Sequence, residues 1–107
     1  MLQSVSGHVV TLDDTKDAEL ISIVDKSGKN KIVLDANNNK ITIACGGELT
    51  ITAKNKLTLE SEEGDVSING QNITLTANEG LAAEGKGKGV ALGGSKVNVM
   101  NGALEVE

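Results

Sequence analysis

The chain has 107 residues, 13 of them glycine, with no Phe, Tyr, Trp or Pro, and its 10 basic and 15 acidic side chains give a net charge of −5. This length allows one domain at most, and an acidic chain without a basic run excludes nucleic acid as a partner. No stretch approaches the roughly 18 apolar residues of a membrane helix and no signal peptide opens the chain, which makes the cytoplasm the expected compartment.

The first forty residues predict antiparallel strands that lead into the rest of the chain. Stretches of alternating apolar residues run from Gly7 to Thr15, from Leu20 to Asp25 and from Lys31 to Asp35. The polar clusters between them are rich in Asp, Ser, Gly and Asn, which is typical of turns. We therefore expect paired strands over residues 1–40.

From residue 41 onward a short pattern repeats, in which an apolar residue, a hydroxyl residue and a second apolar residue follow one another. The first five copies begin at Ile41, Leu49, Leu57, Val66 and Ile73, and looser copies continue to the end of the chain, with steps of 7 to 9 residues. Because successive strand side chains point to opposite faces, the two apolar residues of each copy share one face. A period of about eight residues leaves room for one short strand and one corner, and excludes solenoids with roughly 20 to 50 residues per repeat.

Glycine and asparagine mark the corners of this repeat, and both residue types tolerate the positive φ that a tight bend requires. Because such corners recur at every copy of the repeat, we expect a chain that turns through a constant angle and keeps winding. The predicted corners are Gly46-Gly47, Gly64, Asn69-Gly70, Asn78-Glu79-Gly80, Gly93-Gly94 and Asn101-Gly102. Without aromatic residues, a single layer of such short rungs fills a core poorly, so the composition favours an assembly in which several chains share one narrow core.

Several segments of the sequence resemble a known family. The opening GHVVTLDDT, the segment ISIVDKSGKNKIVLD, the octads ITIACGGELTITAKNKLTLE and the end GGSKVNVMNGALEV are similar to the C-terminal β-helix of contractile-injection spike proteins. This family includes the valine-glycine repeat proteins of type VI secretion, the central spikes of contractile phage tails and the spikes of extracellular contractile injection systems. The resemblance covers the chain from Gly7 to Val106.

The resemblance implies an all-β fold in which three intertwined chains form a triple-stranded β-helix, a triangular β-prism. Residues 41–107 would be the octad-repeat shaft of this homotrimer, and residues 1–40 would lead into it. Each strand would pair with strands of the neighbouring chains, so that free sheet edges remain only at the two ends. The apolar side chains predicted to face the three-fold axis are Ile41, Ile43, Leu49, Ile51, Leu57, Leu59, Val66, Ile68, Ile73, Leu75, Val90, Leu92, Val97 and Val99.

The same resemblance implies that the trimer is the rigid needle of a contractile injection machine. It would assemble in the bacterial cytoplasm, be delivered outside the cell or into a target cell, and contact the target membrane only transiently. Tube, hub and baseplate components would bind N-terminal domains for which 107 residues leave no room. A PAAR-repeat tip protein would seat on the blunt C-terminal end, and the residues predicted to contact it are Met100, Asn101, Ala103, Leu104, Val106 and Glu107.

Residues that often carry chemistry have plainer interpretations in this sequence. His8 is the only histidine and has no second metal ligand nearby in sequence, and the single cysteine, Cys45, excludes an intrachain disulfide. Gly80–Lys86 imitates a phosphate-binding loop, but Gly87 stands where a Ser or Thr must reach magnesium. The acidic residues at 62–65 have no aromatic platform beside them and are interpreted as surface charges. We predict no catalytic residue, no cofactor and no metal.

Two other classes of function stay open. A monomeric β-solenoid could bind carbohydrate or an ordered surface through its regular threonines, although a period of eight places these on successive faces of a three-sided coil. The chain could also be a polysaccharide-active fragment of a trimeric tailspike, but such enzymes use acidic clefts and usually aromatic sugar platforms, and this chain has no aromatic residue. Glycan binding or hydrolysis would distinguish both from a purely structural needle.

Overall fold

The strands of this protein form an antiparallel meander at the start of the chain. The computed structural model describes residues 1–99, and within this range it contains strands and no helix. The strands are β1 (Leu2–Gln3), β2 (Val9–Asp13), β3 (Leu20–Val24), β4 (Lys31–Asp35) and β5 (Lys40–Ala44). They pair in chain order, each antiparallel to the next. The prediction of an all-β chain is therefore confirmed for the described residues.

The pairing register brings two large apolar residues from each of four strands to one side of the sheet. Residues that pair across neighbouring strands point to the same face, so the alternation within each strand is carried across the sheet. One face is thereby wholly apolar, and we call it the isoleucine face. It consists of Val10, Leu12, Ile21, Ile23, Ile32, Leu34, Ile41 and Ile43. The central row of the opposite face consists of Thr11, Ser22, Val33 and Thr42.

The turns of the sheet use residues that accept a left-handed backbone. Asp17 has φ 66°, Gly28 has φ 77° and Asn39 has φ 54°. Asp and Asn are the non-glycine types that visit this region most readily, because their short polar side chains can hydrogen-bond locally. Local turn chemistry therefore allows the short connections between β2, β3, β4 and β5.

Beyond β5 the backbone forms no further strand in the part of the chain that the structure describes. The chain divides into one unit that spans Met1–Leu59 and a second that begins at Glu60. Residues 46–59 of the first unit and residues 60–99 of the second unit form no hydrogen-bonded strand. The first copy of the repeat, Ile41-Thr42-Ile43, is by contrast part of β5 and belongs to the sheet. The predicted division of the chain at residue 40 stays a prediction.

Most of the predicted repeat corners do not use the positive φ that their residues tolerate. Among the predicted corners up to residue 99, only Gly94 has positive φ, at 134°. Gly46, Gly47, Gly64, Gly70, Gly80 and Gly93 do not have it, nor do Asn69 and Asn78. A tight two-residue hairpin requires positive φ because the chain must return along itself. These corners join segments that do not pair with one another, so ordinary φ values are sufficient.

The sheet is a single layer without a hydrophobic core of its own. No apolar side chain is buried among residues 1–99, and the one buried residue in that range is Ser22, at 9% exposure. A sheet with an apolar face normally buries that face against a second layer. The described residues provide no such layer for the isoleucine face. They also contain no helix with the length and hydropathy needed to cross a bilayer.

Candidate functional site

The most prominent surface of the described chain is the exposed isoleucine face. Val10 is half-buried, and the other seven side chains of this face are exposed. Their exposed fraction runs from 38% at Leu34 to 70% at Ile41, on the edge strand β5. The central row of the opposite, more polar face is buried or half-buried. Solvated sheets normally show the reverse, with the apolar face on the core and the polar face in water. An apolar face this open marks an interaction surface.

The apolar surface continues past the end of β5 within the first unit. Ile23, Ile32, Ile43 and Leu49 line an open groove of about 310 Å³. Half-buried Cys45, a free thiol, lines the same groove. Leu49 is the first apolar residue of the second repeat copy. Apolar surface therefore continues from the isoleucine face to the second copy of the repeat.

The fourteen residues predicted to form the trimer core are all exposed in the single chain. Their exposures run from 53% at Val99 to 74% at Leu59. Nothing in one chain covers them in the described range, and their burial on a three-fold axis stays a prediction. The predicted set begins at Ile41, but Ile21 and Leu34 share the face of Ile41 in the sheet. The same apolar alternation in β3 and β4 was the signal that could have extended the set.

The backbone of the octads makes few hydrogen bonds within the described chain. In the first unit, the Gly46 N–H donates to Asn30 Oδ1 at 3.0 Å. In the second unit, the Gly64 N–H donates to Ser61 Oγ at 3.2 Å and the Gly89 N–H donates to the Gly85 carbonyl at 3.1 Å. None of these bonds joins one octad to another. Extended backbone in this state presents free donors and acceptors, which have to be satisfied by water or by strands of another chain.

The only histidine participates in the hydrogen bonding of the sheet. His8 Nδ1 accepts the Lys26 N–H at 3.1 Å, and the His8 N–H donates to Ser4 Oγ at 3.0 Å. The bond from Lys26 ties the residue before β2 to the β3–β4 turn. Across residues 1–99, no group of three or more His, Cys, Asp or Glu side chains is placed to hold a metal ion.

The segment that imitates a phosphate loop closes into a compact turn. The Gly89 N–H donates to the Gly85 carbonyl at 3.1 Å, and Gly89 has φ 85°. A Cβ atom on Gly85 would overlap the carbonyl of Gly89. Steric crowding at Gly85 and the positive φ of Gly89 therefore explain why glycine stands at both positions. The helix that follows a nucleotide-binding loop is not present in the described range, which ends at residue 99.

Two sheet turns are held by aspartates that accept local hydrogen bonds. Asp13 Oδ1 accepts the Thr15 hydroxyl at 2.6 Å and the Thr15 N–H at 2.9 Å. Both bonds lower the pKa of Asp13, and the bond from the Thr15 hydroxyl has the larger effect. The Asn38 side-chain amide, which donates to Asp35 Oδ2 at 2.9 Å, likewise lowers the pKa of Asp35. Hydrogen bonds to the ionised form favour that form, so both carboxylates stabilise their turns when charged.

A third aspartate belongs to a larger network in the β3–β4 turn. The Ser27 hydroxyl donates to Asp25 Oδ1 at 2.7 Å and Asn30 Nδ2 donates to Asp25 Oδ2 at 2.6 Å. Both bonds lower the pKa of Asp25, and the bond from Ser27 has the larger effect. Asn30 also accepts the Gly46 N–H, as noted above, and so reaches beyond its own turn. Sequence reasoning missed this contact, because the two residues lie 16 positions apart.

The residues predicted to contact a tip protein are Met100, Asn101, Ala103, Leu104, Val106 and Glu107, and all six lie outside the described residues. No protein-family model matches the chain, and searches of curated proteins and of solved structures returned no match. The resemblance to spike β-helices therefore depends on the sequence segments alone. The exposed apolar side chains and the unpaired octad backbone are the structural observations that bear on function.

Proposed function

We propose that this chain is the central spike shaft of a contractile injection machine, a structural needle built as an intertwined homotrimer with a triple-stranded β-helix. One observation supports the proposal above all. The octads that follow β5 leave both their apolar pairs and their strand backbone without partners in the described range of a single chain. Neighbouring copies of the same chain meet both requirements at once, since strand pairing between chains satisfies the backbone while the apolar pairs converge on a shared axis.

A monomeric solenoid satisfies its backbone in a different way. Its successive rungs stack and exchange hydrogen bonds within one chain, and the described residues 49–99 make no such bonds between rungs. The observation therefore favours assembly over the solenoid binding module. The number of chains and the parent machine come from the resemblance of the sequence segments to spike proteins.

The proposed function is mechanical. A prism in which every inner strand is hydrogen-bonded to other chains has no flexible joint, so a force applied at one end is transmitted to the other. Sheath contraction would drive such a needle through the envelope of a target cell. Hub and baseplate components would hold it through domains N-terminal to the shaft, and a PAAR-repeat protein would cover the apolar last rung at Leu104 and Val106.

The first prediction is the mass of the full chain in solution, measured by light scattering coupled to size exclusion. We expect a species of three times 11.0 kDa, about 33 kDa, that persists on dilution. Persistence is expected because interchain hydrogen bonds and the shared core form together. A folded species at 11.0 kDa would contradict the homotrimer and would make the monomeric solenoid the better explanation.

A further inference from the structure

Asn30 joins the β3–β4 turn to the segment that leaves the sheet after β5. Its Nδ2 donates to Asp25 Oδ2 at 2.6 Å, and its Oδ1 accepts the Gly46 N–H at 3.0 Å. One amide group therefore acts as donor on one side and acceptor on the other. The amide satisfies both partners in this orientation and neither in the flipped one, because a carboxylate accepts only and a backbone N–H donates only.

The surroundings of this amide hold both ends of the bridge in place. Asp25 also accepts the Ser27 hydroxyl at 2.7 Å, and Ser27 Oγ in turn accepts the Lys29 N–H at 3.1 Å. On the other side, the backbone of Gly46 passes close to Lys29, since a Cβ atom on Gly46 would lie 3.0 Å from Lys29 Cβ. The turn and the departing chain thus meet at a distance that favours glycine.

We propose that Asn30 is a positioning residue, which fixes the direction in which the chain leaves β5 and so sets where the first free octad, Leu49 to Ile51, meets its partner chains. The effect on partner chains rests on the proposed function, whereas the effect on Gly46 does not. Ala44 is the last residue of β5. Within the segment 46–59, the bond from the Gly46 N–H to Asn30 is the one hydrogen bond that the structure describes. An error of direction at this point would carry into every later rung, because register slips displace all the side chains that follow.

Asn38 provides a matched control within the same sheet. Its side-chain amide donates to Asp35 Oδ2 at 2.9 Å, and its own N–H donates to Asp35 Oδ1 at 3.1 Å. Both bonds stay inside the β4–β5 turn. Asn38 therefore shares with Asn30 the contact between an amide and an aspartate, but not the contact with the departing chain.

The test compares Asn30→Ala, Asn38→Ala and the unchanged full chain by amide hydrogen exchange and by light scattering. We expect Asn30→Ala to speed exchange of the Gly46 amide by roughly five- to tenfold, the effect of losing one hydrogen bond, with the amides of β3 and β4 unchanged. Asn38→Ala is expected to leave Gly46 exchange as it is. We also expect Asn30→Ala to reduce the fraction of chains in the regular assembly at least twofold, in favour of polydisperse species.

Asn30→Asp adds a pH dependence of Gly46 exchange, which a general loss of stability would not produce. At neutral pH the carboxylate at position 30 cannot donate to the Asp25 carboxylate and is repelled by it. This repulsion should turn the residue 30 side chain away from the Gly46 N–H that Asn30 Oδ1 accepts, so exchange of the Gly46 amide should be fast. As the pH falls, one carboxyl of the pair takes up a proton and can donate again, so the difference from the unchanged chain should narrow. This comparison decides the proposal if Asn30→Ala does not fold.

Several results would overturn the positioning role. Unchanged Gly46 exchange in Asn30→Ala would do so, as would an equal increase in Asn38→Ala. Faster Gly46 exchange with an unaltered assembly would show that Asn30 holds the chain locally without directing assembly. If the unchanged protein is a monomer, the proposed function and the assembly part of this inference fail together, while the Gly46 measurement still decides whether Asn30 holds the departing chain.

Discussion

At the scale of single residues, the sheet depends on ionised aspartates in its turns. Asp13, Asp25 and Asp35 each follow or end a strand and accept hydrogen bonds from residues two to five positions later. These hydrogen bonds lower the pKa of all three carboxyls from the ordinary value of 3.8. Each carboxylate lies at the surface, so its contribution is local, but together the three fix the turns between β2, β3, β4 and β5.

The lowered pKa values predict how stability depends on pH. A carboxyl whose folded pKa lies below its unfolded pKa contributes stability above the unfolded value, and this contribution disappears as the pH falls through the folded value. We therefore expect the midpoint of thermal unfolding to fall as the pH drops below the ordinary carboxyl pKa of 3.8. Asp13→Asn should make this decline shallower, whereas Asp14→Asn, which leaves both Thr15 hydrogen bonds in place, should not. Equal slopes in the two variants would contradict the role of Asp13.

At the scale of elements, the sequence predicts faces much better than partners. The alternation in Ile21-Ser22-Ile23 and in Leu57-Thr58-Leu59 is the same, and it specifies in both cases which side chains share a side. The first triplet pairs within its own chain and the second does not. The period and polarity of the sequence determine which side chains share a face of a strand. Which strand pairs with its edge is determined by turn geometry and by the presence of other chains.

The same limit applies to the corners. Glycine tolerates positive φ but does not require it, and among the predicted corners up to residue 99 the structure shows positive φ only at Gly94. Asp17, which does adopt positive φ, was predicted only as part of a turn, and Asn39, which also adopts it, lies outside the turns predicted from the sequence. The contact of Asn30 with Gly46 depends on the folded sheet that brings them together, and no sequence spacing indicated it.

The irregular segment at Gly85 gives an element-scale prediction with an internal control. A side chain on Gly85 would overlap the backbone of Gly89, so Gly85→Ala has to open the turn and should cost roughly 1 to 3 kcal/mol of stability. Gly87 lies within the same turn, and a Cβ atom there meets nothing within 4 Å. Gly87→Ala should therefore stay within about 0.5 kcal/mol of the unchanged chain. Chemical denaturation of both variants measures the difference, and equal effects would contradict a sterically required Gly85.

At the scale of the whole molecule, the distribution of apolar surface is the reverse of that in a self-sufficient monomer. Among residues 1–99 every isoleucine is exposed, and the one buried side chain belongs to a serine. Folding of a domain normally offsets the loss of chain entropy by burying apolar surface. In the proposed trimer, association would supply the stabilisation that the single chain lacks. Assembly would then be a condition of folding and not a later step.

The repeat offers a direct test of this conclusion, because neighbouring residues point to opposite faces. Leu57 is 56% exposed in the single chain, and the adjacent Thr58 is exposed as well. If the chain acted alone, Leu57→Ala and Thr58→Ala would both be surface substitutions with effects within about 0.5 kcal/mol.

In the proposed trimer, Leu57 faces the shared axis and Thr58 faces water. Leu57→Ala should then cost about 2 to 5 kcal/mol per chain, because it removes buried methyl groups and leaves a cavity, while Thr58→Ala stays nearly neutral. The measurement is equilibrium unfolding of both variants at one protein concentration, with light scattering to follow dissociation. A small and equal effect of the two substitutions would mean that the apolar face of the octads is not buried, and the homotrimeric needle would have to be abandoned.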